Sequence, residues 1–199
     1  MLVASVSLIV LLIALAGWKQ PASPIEGQYM NDWNRENIEY VIQIRDVLLE
    51  MYAVNDAMNQ HLLTHLNAQA WRAELPGTSG HRTIAAIFAH LHNSRLVWLR
   101  HNAPHLRCPA SLDPRRCTMK QAAAAHKRSA EQCLRMLTDA LSGRSNRRVT
   151  RFSRGWLRPW PAGATMFAYM FSHEAHHRGQ ILMLAHQLGY RIPQSTAAH

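Results

Sequence analysis

Apolar residues recur three and four positions apart over four long stretches of this chain, separated by breaks rich in proline and glycine. That period marks helices with one buried face. From about Trp33 to Leu66 there is no Gly or Pro, and Leu48, Met51, Tyr52, Met58, Leu62 and Leu66 form an apolar stripe that also carries Asn55. This predicts one long helix or two in line, ended by Pro76, Gly77, Ser79 and Gly80. A second helix is predicted from about Thr83 to His101, with Ile84, Ile87, Phe88, Leu91 and Trp98 facing inward. Pro104, Pro109 and Pro114 hold an irregular connection. Thr118-Met119-Lys120-Gln121 then reads as a capping box opening a third helix, which runs through Ala125, Cys133, Met136 and Leu137 to about Leu141. The fourth stretch runs from about Ala164 to Leu188, where Gly189 and then Pro193 stop it. Four amphipathic helices with one or two long connections predict an all-α protein built as a helix bundle.

Two segments depart from this pattern. Leu2 to Trp18 is an uncharged apolar run at the lower limit for spanning a bilayer. It lacks a basic leader, though Ala14-Leu15-Ala16 resembles a cleavage site. A membrane anchor, a weak export signal and an over-long start (Met30 and Met51 being later ones) all remain open. Gln20 to Gly27, with Pro21, Ser23 and Pro24, reads as a linker. The second segment, Ser142 to Pro161, sets Phe152, Trp156 and Trp160 among Arg144, Arg147, Arg148, Arg151, Arg154 and Arg158. Within it Val149 to Trp156 suits a short strand or hairpin. Basic and aromatic residues interleaved in this way can grip nucleic acid, but a solvated crossover loop with tryptophans laid on the domain is the better expectation. The resulting division is an apolar segment over residues 1–19, a linker and helix extension over 20–46, a bundle domain over 47–193 and a tail over 194–199.

Composition sharpens the picture only in part. In 199 residues, 48% hydrophobic and 17% charged content allows a real core and excludes a disordered chain. The net charge of +10 favours anionic partners without choosing among them. Cys108, Cys117 and Cys133 are odd in number and contain no C-x-x-C, a poor pattern for disulfides or a zinc ribbon. Cys133 reads as a plain buried thiol; Cys108 and Cys117 would pair only in an exported chain.

The thirteen histidines matter more, because three fall in His173-Glu174-Ala175-His176-His177-Arg178-Gly179-Gln180. On a helix His173 and His177 stand one turn apart on one face, a spacing that lets two imidazoles share a metal ion. A histidine-rich exposed face without metal fits the spacing equally well. The same letters spell the H-E-x-x-H of zinc proteases, with Glu174 as general base. No Asp or Glu follows Glu174, however, and His186 lies on the opposite side of the helix, so the protease reading lacks its third ligand. An upstream ligand is available at His90 or His92 in Phe88-Ala89-His90-Leu91-His92-Asn93.

Ile87-Phe88-Ala89-His90-Leu91, followed far downstream by His173-Glu174-Ala175-His176-His177-Arg178-Gly179-Gln180-Ile181 and then Leu188-Gly189-Tyr190, resembles the DinB/YfiT-like family of metalloenzymes over about Val47 to Pro193. The resemblance implies a four-helix bundle of up-down-down-up topology and a three-histidine divalent metal site, commonly zinc or nickel. Its ligands would be His90, His173 and His177. It further implies a low-molecular-weight thiol as cosubstrate in some members, a homodimer, and a close helix approach at Gly179. Asn55, His92, Glu174 and His176 are the candidates for orienting those ligands or moving a proton.

The expected function is a metal-dependent hydrolase or thiol-dependent transferase acting on a small-molecule substrate. The bundle is expected in the cytoplasm, with residues 2–18 as a candidate membrane anchor. The alternative is a non-catalytic basic helical module binding nucleic acid or an anionic membrane through Arg144 to Arg158. Nucleic acid is the less favoured partner.

Overall fold

A computed structural model describes residues 24–75, 83–142, 148–154 and 159–192, with side chains from residue 44 onward. The chain divides into two compact units, residues 1–43 and 44–199, and the packing below belongs to the second. The apolar run Leu2 to Trp18 lies outside the described residues. Among those described, no helix is long and apolar enough to cross a membrane.

Four helices dominate the described residues: α1 Pro24–His65, α2 Ile84–Asn102, α3 Met119–Leu141 and α4 Ala164–Gln187. A 3-10 helix, Ala68–Arg72, follows α1. Arg151–Phe152 (β1) pairs antiparallel with Trp160–Pro161 (β2), so the protein is mostly rather than wholly helical. One boundary corrects the sequence reading. α1 begins at Pro24, and residues 24–27 of the expected linker are its first turn. Proline suits that position because the N–H it lacks would have no partner in the first turn anyway.

The other helix ends follow from local chemistry. The Thr83 hydroxyl accepts the Ala86 N–H at 3.2 Å and opens α2. Thr118 and Gln121 complete the capping box at α3, each side chain bonding the other's backbone N–H. Past α4, Gly189 takes φ of +81°, a left-handed conformation that glycine adopts without a Cβ penalty, and the Tyr190 N–H reaches back to the Ala185 carbonyl at 2.9 Å. The proline-bearing connection after α2 is tied down by that helix. Asn93 donates to the Leu112 carbonyl and accepts the Leu112 N–H, both at 2.9 Å.

The core comes in two apolar blocks. One gathers Leu62, Leu66, Trp71, Ile84, Phe88, Leu91, Ile181 and Ala185. The other gathers Tyr52, Leu96, Trp98, Cys133, Met136, Leu137, Phe152, Met166 and Met170. α1 and α4 therefore pass from the second block to the first, and α2 and α3 from the first to the second. Between the blocks, in sequence on every helix, lie buried polar residues: Asn55 and Asn59, His92 and Arg95, His126 and Ser129, Glu174 and Arg178. The inner stripe expected on α1 is displaced accordingly. Tyr52, Asn55, Leu62 and Leu66 are buried, but Met51 and Met58 are exposed. The buried face is centred on the two asparagines, which turns the methionines outward.

Gly179 also departs from expectation. It is exposed on α4, and a Cβ there would meet no described atom within 4 Å, so no close approach requires glycine. Gly179→Ala should stabilise the protein by roughly 0.5–1 kcal/mol through reduced backbone entropy in the unfolded chain. A urea midpoint that fell would contradict this. The buried layer also makes stability pH-dependent. Burial pushes the His126 imidazole from 6.5 down to about 3, and its Nε2 sits 2.9 Å from the Phe88 carbonyl. As pH falls below about 6.5 the unfolded chain binds a proton that the folded state refuses. Stability should thus be full above that pH and decline below it, by up to about 1.4 kcal/mol per unit. Urea titrations across this range should show a smaller slope for His126→Gln than for the wild type.

Candidate metal centre

Two columns of side chains run up α4, about 100° apart around its axis. One holds Glu174 and Arg178, the other His173 and His177. The first column is locked into the protein. Both Glu174 and Arg95 are fully buried, and Arg95 Nε and Nη2 donate to the two Glu174 carboxylate oxygens at 2.7 and 2.8 Å. Asn55 and Asn59 add amide donors to the same carboxylate at 2.6 and 2.8 Å. Their amide oxygens face the other way and accept from Arg178 Nη1 at 2.6 and 3.2 Å. Arg95 Nη1 reaches the His126 carbonyl at 3.1 Å and Asp56 Oδ1 at 2.9 Å. One network therefore touches all four helices. Burial alone would raise the Glu174 carboxyl, but the Arg95 guanidinium, joined by His126 and the Asn59 amide, holds the group below its ordinary value. For Asp56, at the edge of the network, burial wins over Arg95 and the carboxyl is raised.

With that column fixed, the other points at α2. The His90, His173 and His177 rings form a triangle with centroid separations of 5.4, 4.6 and 4.6 Å. One nitrogen from each lies within 4.8 Å of the others. A tetrahedral ion with nitrogens at about 2.0–2.1 Å would draw them closer still. Burial, and then the neighbouring His177 and His90, push His173 from 6.5 down to about 4, so its ring is neutral and its lone pair available at neutral pH. His173 Nδ1 is buried with no hydrogen-bond partner. His177 Nδ1 lies 2.7 Å from Gln180 Oε1; an amide oxygen only accepts, so Nδ1 carries a proton, and in the neutral ring the lone pair is then on Nε2. Three imidazole donors, one with an orphaned ring nitrogen, fit a borderline divalent ion. Trp98 and Tyr169 flank His173 with ring centroids at 5.3 and 6.0 Å. Arg154 stacks over Trp160 at 4.2 Å and Tyr169 at 4.8 Å.

The four residues expected to serve these histidines bond to other groups. Asn55 and Glu174 belong to the buried network. With both carboxylate oxygens engaged by four N–H groups, Glu174 is a structural anion rather than a general base, which gives a physical reason why the protease pattern does not apply. His92 holds the connection after α2, its Nε2 donating to the Ala110 carbonyl at 2.9 Å while Nδ1 lies 3.1 Å from Ser129 Oγ. His176 is exposed and accepts from Gln180 Nε2 at 2.9 Å. Gln180 is the residue that sequence reasoning missed as an orienting group, and its place three residues after His177 was the available signal. Of the basic segment, Arg144, Arg147, Trp156 and Arg158 lie outside the described residues; Phe152 is core, and Arg148 and Arg151 are exposed. A cleft of about 600 Å³ beside the start of α3 is lined by Asp113, Arg116, Lys120 and Arg128 among others, and by none of the three histidines. All three cysteines are free, and burial pushes Cys133 up to about 12.

Breaking a buried ion pair leaves the surviving charge without water or partner. Arg95→Met should therefore cost about 3–5 kcal/mol in urea unfolding. A loss below about 1 kcal/mol, the scale of an exposed pair, would show that the network carries little weight.

The DinB family model matches residues 30–198, and the chain belongs to that family. No curated protein and no solved structure matches it.

Proposed function

We propose that this DinB family protein holds one divalent transition-metal ion, zinc or nickel, on His90, His173 and His177, and acts as a hydrolase or a low-molecular-weight-thiol-dependent transferase on a small-molecule substrate. The observation that carries the reading is the convergence of three imidazoles from two helices that lie far apart in sequence. The passage of α1 and α4 one way between the core blocks, and of α2 and α3 the other, supports a four-helix bundle of up-down-down-up topology around that site.

Such an ion supplies Lewis-acid activation of a carbonyl, a water or a thiol. Three protein donors leave a coordination position for it to do so. The chain's own residues do the rest. Gln180 fixes the tautomer of His177, and burial keeps His173 neutral. Trp98 and Tyr169 give that side of the site an apolar wall. The Arg95–Glu174 pair sets the rotation of α4 and so the aim of both its histidines. The nucleic-acid reading draws no support from the described aromatics, because Phe152 is buried and Trp160 is covered by Arg154.

Metal analysis of the purified chain should find zinc or nickel, with about one ion per molecule lost in each of His90→Ala, His173→Ala and His177→Ala. Gln180→Leu should bind metal some 10–100-fold more weakly, the usual cost of losing a ligand's orienting partner. Unchanged metal content in His173→Ala and His177→Ala would remove the site.

A further inference from the structure

Away from the three-histidine centre, the outer face of α1 carries a second pattern. Ile44, Val47, Met51, Val54 and Met58 are all exposed, and they are spaced alternately three and four residues apart. That is the 3.5-residue repeat of a coiled-coil seam, which a second helix of like repeat covers. The same alternation continues without a break to His61 and His65. Their rings lie 4.1 Å apart between centroids. His65 Nδ1 sits 2.9 Å from the His61 carbonyl, which only accepts, so Nδ1 carries a proton, and in the neutral ring the lone pair is then on Nε2. This backbone bond is the kind that fixes the tautomer of a metal-ligating histidine.

We propose that His61 and His65 are half of an intermolecular site for a zinc-class divalent ion, completed by the same pair from a second copy of this chain packed parallel along the Ile44–Met58 seam. In a parallel, in-register pair each seam residue meets its own counterpart, so four imidazoles gather within one helical turn. Four nitrogens satisfy a tetrahedral ion, whereas two from one chain do not. A second copy is the occupant this face admits. The chain carries a net charge of +10, yet the acidic and basic side chains among the exposed residues from Ile44 to His65 are Asp46, which pairs with Arg45, and Glu50. Approach along this face therefore escapes most of the repulsion between like-charged molecules. The seam is also small. Seven positions per copy fall well short of the roughly 20–30 residues a side of a standard interface. Apolar contact alone thus gives weak pairing, and the ion supplies what is missing.

Sedimentation of the 199-residue chain at fixed concentration, in EDTA and then with excess zinc, tests this. Zinc should convert one-chain particles to two-chain particles and strengthen pairing at least tenfold. The double variant His61→Ala/His65→Ala, and separately Val54→Lys, should stay single in zinc; both alter exposed or half-exposed side chains, and circular dichroism checks that they fold. His173→Ala should still pair in zinc, which separates this site from the three-histidine centre and from the fate of that reading. A mass equal in EDTA and zinc, whether of one chain or two, overturns the proposal. So does zinc-dependent pairing that survives the double variant or is lost in His173→Ala.

Discussion

The ion pair between Arg95 and Glu174 is the constraint on which the remaining geometry rests. A guanidinium and a carboxylate, both removed from water, are tolerated only when nearly every donor and acceptor has a partner. Here Asn55, Asn59 and Asp56 of α1 and the His126 carbonyl of α3 supply those partners from the two other helices. Apolar contacts accept small slips of one helix along another, but these hydrogen bonds do not. Sliding α4 by one turn would move its residues about 5.4 Å and strand two charges in the interior. The layer therefore fixes both the height and the rotation of α4. His173 and His177, one residue away from Glu174 and Arg178, inherit that precision.

This division of labour explains why H-E-x-x-H means something different here from its meaning in a protease. The glutamate is turned about 100° from the histidines and spent on holding the fold. Gln180, through His177, takes the orienting role that a carboxylate often fills at metal sites.

Much of this was legible in the sequence, and what was not has a common cause. The helices, the Thr118 capping box and the stop at Gly189 follow from local rules that need no partner. The three histidines were found by spacing and by family resemblance, and the structure brings them together. The buried network was missed because stripe reading looks for apolar residues. Yet Arg95 sits four residues after Leu91, and Glu174 four after Met170, each on an apolar stripe. Charges of opposite sign on the inner faces of different helices were the signal. Counting Met51 and Met58 inward was the same error reversed, since hydrophobicity was taken for burial when the true inner face held Asn55 and Asn59. Gly179 and the start at Pro24 misled for another reason. Glycine and proline were read as signs of tertiary contact and of linker, where the backbone simply tolerates them.

A core cut in two by a polar plane leaves unequal freedom to drift. Within either apolar block, one aliphatic residue can replace another with local repacking, and neighbours adjust by fractions of an ångström. In the plane, replacing any one of Asn55, Asn59, Arg95, Glu174 or Arg178 takes a partner from a group on at least one other helix. Intermediates between two workable planes are thus less fit than either end, and lineages of this fold should cross between them only by concerted change. Sequence divergence will accumulate in the hydrocarbon on both sides long before it reaches the layer that aims the histidines.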